Sequence, residues 1–372
     1  MSISRRRLVQ AGLAAGAAGS LAPGVAAKGF VQGGFKPQRV LILGGTGYIG
    51  PHMVREALRR GHEVTLFNRG KTNSALFPDV RTLKGDRNNG LDALKGKSWD
   101  VVIDNSGYVP RHVEDSARLL ATAAKHYVYI STVSVYAGGI PTIDEDSPLA
   151  TMEDETVEDV TGETYGPLKA LCEQRAAAAF GADRLTILRP TYICGPGDHT
   201  DRFTYWPARA SRGGEMLWPG APADKIQIID VRDLANFTLD SIDKQIMGTF
   251  NTVTPAGQYT MGDLLDDCRA VTTSDFSPVW VPYDFQVTQE LGSGNVLPIW
   301  TPPLPEYAGF AMTSGERAVA AGLRNRNTRE TARDALAWWN ALPQERKIKA
   351  KAGLAPDVEA AVLANWAASQ AS

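Results

Sequence analysis

The sequence predicts an α/β protein, a doubly wound parallel sheet of Rossmann type with a smaller, mixed C-terminal part. Two observations predict it. Val40, Leu41, Ile42 and Leu43 form an unbroken apolar run, and Gly44, Gly47 and Gly50 follow it at GxxGxxG spacing. A continuous apolar run of this length reads as a strand buried on both faces. Short apolar runs then recur at 63–67, 80–87, 99–107 and 127–130, with helical patterns between several of them. Strand and helix alternating at this pitch build parallel sheets.

After the glycine turn, Pro51 suits a first helical turn, where its missing N–H costs nothing. Met53, Val54, Ala57 and Leu58 give the helix one apolar stripe, and Gly61 stops it. Strand, turn and helix together aim backbone N–H groups and a helix N-terminus at an anion, the seat of a dinucleotide pyrophosphate. Gly44, Thr46, Gly47, Tyr48 and Ile49 are the expected contacts.

The second strand ends at Asn68-Arg69-Gly70-Lys71. An acidic residue here would hold the ribose diol of NAD. Asn68 stands there instead, and Arg69 can pair with a 2′-phosphate through two N–H bonds. NADP is therefore the expected cofactor, with NAD as the alternative; Arg69 stacking on adenine or facing solvent is the other reading of that residue. At the end of the third run, Asp86 can accept from the adenine amino group and Arg87 can flank the ring, unless Asp86 only caps a helix. Ser106 and Gly107, in the turn after the fourth strand, complete this half.

The fifth strand ends in Ser131-Thr132-Val133-Ser134-Val135-Tyr136, and Tyr165-Gly166-Pro167-Leu168-Lys169 opens a later helical run. Residues four apart share one helix face, and Pro167 is tolerated in a first turn. A lysine ammonium near a phenol lowers its pKa towards working pH, and a neighbouring hydroxyl can hold a substrate oxygen.

These pieces resemble the extended short-chain dehydrogenase/reductases of the NAD-dependent epimerase/dehydratase type. The segments 188–198 and 228–235 also resemble that family's later strands. The resemblance implies Tyr165 as general acid/base and Lys169 as ribose ligand and pKa modifier. It implies Thr132 as the hydroxyl partner, with Ser131 and Ser134 as competitors. Pro190 and Ile193 would border the nicotinamide. Two departures stand out: Asp104-Asn105-Ser106-Gly107 replaces a small apolar turn, and the carboxylate at the end of the second strand is missing. The implied domains are 38–196 plus about 226–252 for the dinucleotide, and about 197–225 plus 253–372 for the substrate. In the second, Arg202, Tyr205, Trp206 and Arg209 suit either a pocket for a sugar-like ligand or an aromatic core face.

Composition narrows the function. A net charge of −2 over 372 residues gives no electrostatic footprint for nucleic acid. The five histidines have no HxxxH or HExxH spacing, and no metal is expected. Cys172, Cys194 and Cys268 read as buried small hydrophobes, although an exported protein could pair two of them. Ser4-Arg5-Arg6-Arg7-Leu8, a short Ala/Gly-rich run and Val25-Ala26-Ala27 resemble a twin-arginine export signal over 1–27, too short and glycine-rich for a stable membrane anchor. The expected protein is periplasmic, meets the twin-arginine translocase during export, and allows a homodimer. Its expected activity is oxidoreduction at a secondary alcohol or ketone of a sugar or polyol, with Tyr165 as the proton carrier and a tightly bound cofactor. The rivals are an NADPH-dependent ketone reductase resembling isoflavone reductases, and a non-enzymatic RNA-binding relative.

Overall fold

The architecture was analysed in a computed structural model, which describes residues 36–291 and 296–371. The expected export signal lies outside the described residues.

Seven parallel strands form the main sheet. They are β1 (Arg39–Leu43), β2 (Glu63–Asn68), β3 (Arg81–Lys84), β4 (Val101–Asp104), β5 (His126–Ile130), β6 (Leu185–Pro190) and, later in the chain, β10 (Gly248–Thr252). Their order is β10-β6-β5-β4-β1-β2-β3. From β1 the chain winds outward to β2 and β3, then returns to β4 and winds the other way. The strand order therefore reverses between β1 and β4, and open α/β sheets bind ligands in the crevice at such a point.

Helices cover both faces. Side chains alternate along each strand, so one sequence run feeds two cores. Val40, Ile42, Val101, Ile103, Val128 and Ile130 pack with Met53, Val54 and Ala57 of α1 (Gly50–Arg59) and with Leu234 and Phe237 of α5 (Val231–Asp243). Leu41, Leu43, Val102, Tyr127 and Tyr129 pack on the other face with Val113, Ala117 and Leu120 of α2 (Pro110–Leu120) and with Cys172, Ala176 and Phe180 of α3 (Tyr165–Phe180). Close approach of α1 to the sheet depends on Gly50. A Cβ there would lie 2.5 Å from the Gly45 backbone.

The remaining elements build a third core. They include β7 (Tyr192–Cys194), α4 (Tyr205–Ala210), β8 (Gly214–Pro219), β9 (Ile228–Asp230), α6 (Met261–Val271) and β11 (Phe276–Val281). β7 pairs with β9 and β8 with β11, each pair parallel. Trp206 and Trp218 stack at its centre with ring centroids 4.7 Å apart. α6 starts with a complete capping box from Thr260 and Asp263. Cys172, Cys194 and Cys268 are buried and unpaired. Among the described residues, no helix is long and apolar enough to cross a membrane.

Candidate active site

A cleft of about 570 Å³ opens at the β1/β4 crossover. Its wall includes Gly44, Thr46, Gly47, Tyr48, Ile49, Asn68, Arg69, Asp86, Arg87, Ser106, Tyr165, Lys169 and Ile193. The fold thus brings together in one cavity most of the residues expected from sequence. Gly107, Pro190 and Thr132 are buried residues set back from that lining.

The glycine turn is held by both neighbouring strand ends. Gly44 has φ +110°, a conformation that L side chains avoid, and a Cβ there would meet Asn105 Oδ1 at 2.2 Å. Asn68 ties the end of β2 to the turn, accepting from Gly70 N at 2.8 Å and donating to Gly44 O at 3.4 Å. The α1 N-terminus has no side-chain cap. Gly50, its first residue, lines the cleft beside Gly47, where the helix N-terminus suits a phosphate. Two buried hydroxyls on the same cleft, Tyr48 Oη and Ser131 Oγ, lack a hydrogen-bond partner within the chain. These features fit a dinucleotide along the cleft.

At the adenine end the structure modifies the expectations for Asp86 and Arg87. Asp86 is exposed and accepts from Asn88 N at 3.0 Å, so its carboxylate closes a local turn rather than capping a helix. Arg87 is buried. Its guanidinium pairs with both oxygens of Asp104, donates to Ser116 Oγ at 2.7 Å and reaches His112 O at 3.2 Å. Arg87 therefore reaches the cleft as the anchor of a buried network, not as a free side chain over a ring. The network explains the unusual Asp104-Asn105-Ser106-Gly107 turn. Asp104 has no exposed surface and also accepts from Tyr127 Oη at 2.7 Å. Its carboxyl is held below the usual carboxylate range: burial pushes it up, but the Arg87 guanidinium outweighs that. Arg69, by contrast, is exposed on the cleft rim.

Tyr165 is the first residue of α3, which puts Pro167 in the first turn and Lys169 one turn on. Thr132 has extended backbone at the end of the β5 turn, and its hydroxyl accepts from Ser134 N at 3.1 Å. That hydroxyl also donates to Ser134 Oγ at 3.2 Å, and it lies near enough to the Tyr165 phenol to act to lower its pKa. Among the three candidate hydroxyls, Thr132 is the one that acts on the phenol's pKa, whereas Ser131 Oγ lies unpaired on the cleft.

The electrostatics differ from the simple expectation. Burial, aided by Tyr108, pushes the Tyr165 phenol up to about 12. The neighbours that act most strongly to lower it are Thr132 and Arg202. The Lys169 ammonium donates to Gly107 O at 2.7 Å and Ile130 O at 2.8 Å, and lies 4.2 Å from the Tyr129 ring centroid. Burial brings the Lys169 amine down to about 8, so it still carries its charge at neutral pH. Two backbone carbonyls and an aromatic face hold the buried ammonium, and the nearby Asp104 and Glu173 favour its charge.

On the substrate side the four candidates separate. Tyr205, Trp206 and Arg209 belong to the third core: Trp206 Nε1 donates to Pro298 O at 2.9 Å, and Arg209 pairs with buried Glu359 at 2.6 Å. α4 turns this face inward, so these three are packing residues and not ligands. Arg202 alone reaches the cleft. Sequence reasoning missed Tyr108, which lines the cleft with its ring centroid 6.3 Å from that of Tyr165 and 5.3 Å from Lys169 Nζ. An aromatic residue just after a strand-end turn was the available signal. Among the described residues, no group of three potential metal ligands clusters.

Comparison with known proteins accords with this geometry. A family model described as "NAD dependent epimerase/dehydratase family" matches residues 40–251, from β1 through β10. The chain belongs to the NAD-dependent epimerase/dehydratase family. It is 27% identical over 219 residues to an Arabidopsis thaliana chloroplast stem-loop binding protein, covering 55% of this chain and 54% of that protein. It is 29% identical over 220 residues to a 2-alkyl-3-oxoalkanoate reductase of Stenotrophomonas maltophilia, covering 54% of this chain and 64% of the relative. The chain thus matches less than two thirds of the length of either. Among solved structures, a UDP-Glc/GlcNAc 4-epimerase from Campylobacter jejuni shares the fold with a TM-score of 0.61 at 17% identity, over 82% of this chain and 99% of that one. WbmG of Bordetella bronchiseptica, solved with NAD and UDP, gives 0.60 at 17% identity, over 82% and 94%.

Proposed function

We propose that the protein is a dinucleotide-dependent oxidoreductase of the epimerase/dehydratase type, acting on a secondary alcohol or ketone of a sugar or polyol-like substrate. The observation that carries this is the placing of Tyr165 and Lys169 on the wall of one cleft that begins at an uncapped helix N-terminus.

Gly44 to Ile49 and the α1 N-terminus would hold the pyrophosphate, and Lys169 the nicotinamide ribose. When bound, the nicotinamide supplies the two-electron oxidation and reduction that these side chains cannot. Thr132 holds the substrate oxygen beside the phenol. Tyr165, protonated at neutral pH, is ready to give a proton to that oxygen. Its pKa falls when positive charge approaches, which favours the phenolate, the form that takes a proton from a substrate hydroxyl in the reverse step. Arg69 on the rim, with no carboxylate at the end of β2, supports NADP; the NAD-bound fold relatives support NAD.

The arginine-rich N-terminus supports export to the periplasm, where reduced nicotinamide is not expected as an exchangeable pool. A cofactor that stays bound and is restored in each cycle fits that address. Epimerisation and dehydration both restore it. The likeness to an oxoalkanoate reductase favours a second reading, in which the cofactor exchanges and the reaction is a ketone reduction. The likeness to a stem-loop binding protein raises RNA, against which stand the net charge of −2 and the intact Thr132, Tyr165 and Lys169. The test is turnover of candidate sugars and polyols with no added cofactor. Continued turnover supports the closed cycle. Arrest after one equivalent, relieved by NADPH, establishes the reductase.

A further inference from the structure

We infer that Arg202 is an oxyanion clamp for the substrate, so that the molecule oxidised or reduced at Tyr165 carries a carboxylate or phosphate. This rests on the reading that the cleft holds the substrate beside Tyr165.

Arg202 lines the same cavity as Tyr165, and its charge reaches the phenol. Its guanidinium is fixed from behind. Asp198, wholly buried, accepts from both the amide and the hydroxyl of Thr200 through Oδ1, at 2.8 and 2.6 Å. The Thr200 hydroxyl gives its proton to Asp198, so it accepts from Arg202 Nε, at 3.1 Å. The guanidinium carbon also lies 4.9 Å from the centroid of the Tyr192 ring. One hydrogen bond through Nε and one ring thus hold the guanidinium, and among the described residues no hydrogen bond engages its two Nη groups. Among the described residues, no carboxylate lies within ion-pair distance of Arg202, whereas Arg189, Arg209, Arg232 and Arg326 all have one.

A guanidinium held in this way presents a planar pair of donors, the geometry that a carboxylate or phosphate accepts bidentately. Arginine positioned without a protein acid, on the wall that also carries the proton donor, is suited to a charged substrate group. A neutral sugar would leave those donors to water. Asp198 does not take this place, because Thr200 stands between it and the guanidinium.

The test uses the full chain loaded with NAD or NADP, whichever binds. Calorimetry measures D-glucuronate, D-glucose 6-phosphate and D-glucose against wild type, Arg202→Ala and Arg202→Lys. At least one anion is expected to bind wild type about tenfold or more tightly than glucose, and which one does so separates carboxylate from phosphate. Arg202→Ala is expected to abolish that preference while keeping dinucleotide affinity and the melting temperature. Arg202→Lys is expected to keep a reduced, more salt-sensitive preference, which separates lost recognition from lost folding. A preference unchanged in Arg202→Ala, equal binding of anions and glucose by wild type, or no binding of either anion by the loaded protein overturns the clamp. None of these outcomes touches the proposed reaction, which fails separately if the dinucleotide does not bind.

Discussion

Lys169 and Tyr165 share a face of the first turns of α3, yet the Lys169 ammonium donates to Gly107 O and Ile130 O and not to the phenol. The lysine joins the α3 helix to two strand-end turns, β4 and β5, at the point where a nicotinamide ribose would lie. Burial keeps the phenol protonated, and Thr132 acts in the opposite direction.

Tyr165→Phe removes the proton carrier and little else. The ring is retained beside Tyr108, and no backbone changes. Turnover is expected to fall on the order of 10²–10⁴-fold while dinucleotide affinity stays within a few fold. Steady-state rates with parallel binding titrations check this. Near-normal activity would take Tyr165 out of the chemistry.

Arg69→Ala distinguishes the two cofactors. Arg69 is exposed on the cleft rim, and a 2′-phosphate is present in NADP alone. Loss of a charge-assisted pair at a partly exposed site is expected to weaken NADP about tenfold and leave NAD nearly unchanged. Equal losses for both would remove the NADP preference.

Arg87→Met leaves the Asp104 carboxylate in a fully buried site without its partner. Breaking a buried pair in this way costs about 3–5 kcal/mol, measured by urea unfolding. Because Asp104 Oδ1 also accepts from Ser106 N at 3.1 Å, dinucleotide affinity is expected to fall as well. A loss below about 1 kcal/mol would show that the network is not what holds this turn.

His126 gives the protein an acid-sensitive link. Thr186 Oγ1 donates to Ile246 O at 2.6 Å, so it accepts from His126 Nε2–H at 2.7 Å, which fixes the tautomer of the neutral ring. Burial lowers the His126 pKa from 6.5 to about 4. Between these values the unfolded chain binds the proton and the folded chain does not. Stability is therefore lost as pH falls from about 6.5 to about 4, by about 3 kcal/mol in all. His126→Gln is expected to flatten that part of the stability–pH curve; an unchanged slope would exclude His126 as its source.

Much of this was legible in the chain because the determinants are local. The run Val40–Leu43 and the glycine spacing set a strand, a turn and a helix within a dozen residues, and their position in the sheet follows from winding rules. The spacing of Tyr165 and Lys169 is likewise a one-helix fact. What was not legible depends on distant pairing. Arg87 reads as a rim residue until the fold sets it against Asp104 and Ser116. Tyr205, Trp206 and Arg209 read as ligands or as core until Pro298 and Glu359 arrive from the far end of the chain. Tyr108 belongs to the site only because α3 brings Tyr165 to it.

The central claim, a dinucleotide along the Gly44–Lys169 cleft, is tested most directly by denaturing the purified full-length protein and identifying released nucleotides by mass spectrometry, with calorimetric titration of NAD and NADP on the stripped protein. The account predicts about one dinucleotide per chain, retained or rebound. Protein that releases none, and that binds neither NAD nor NADP in either redox state, would contradict it.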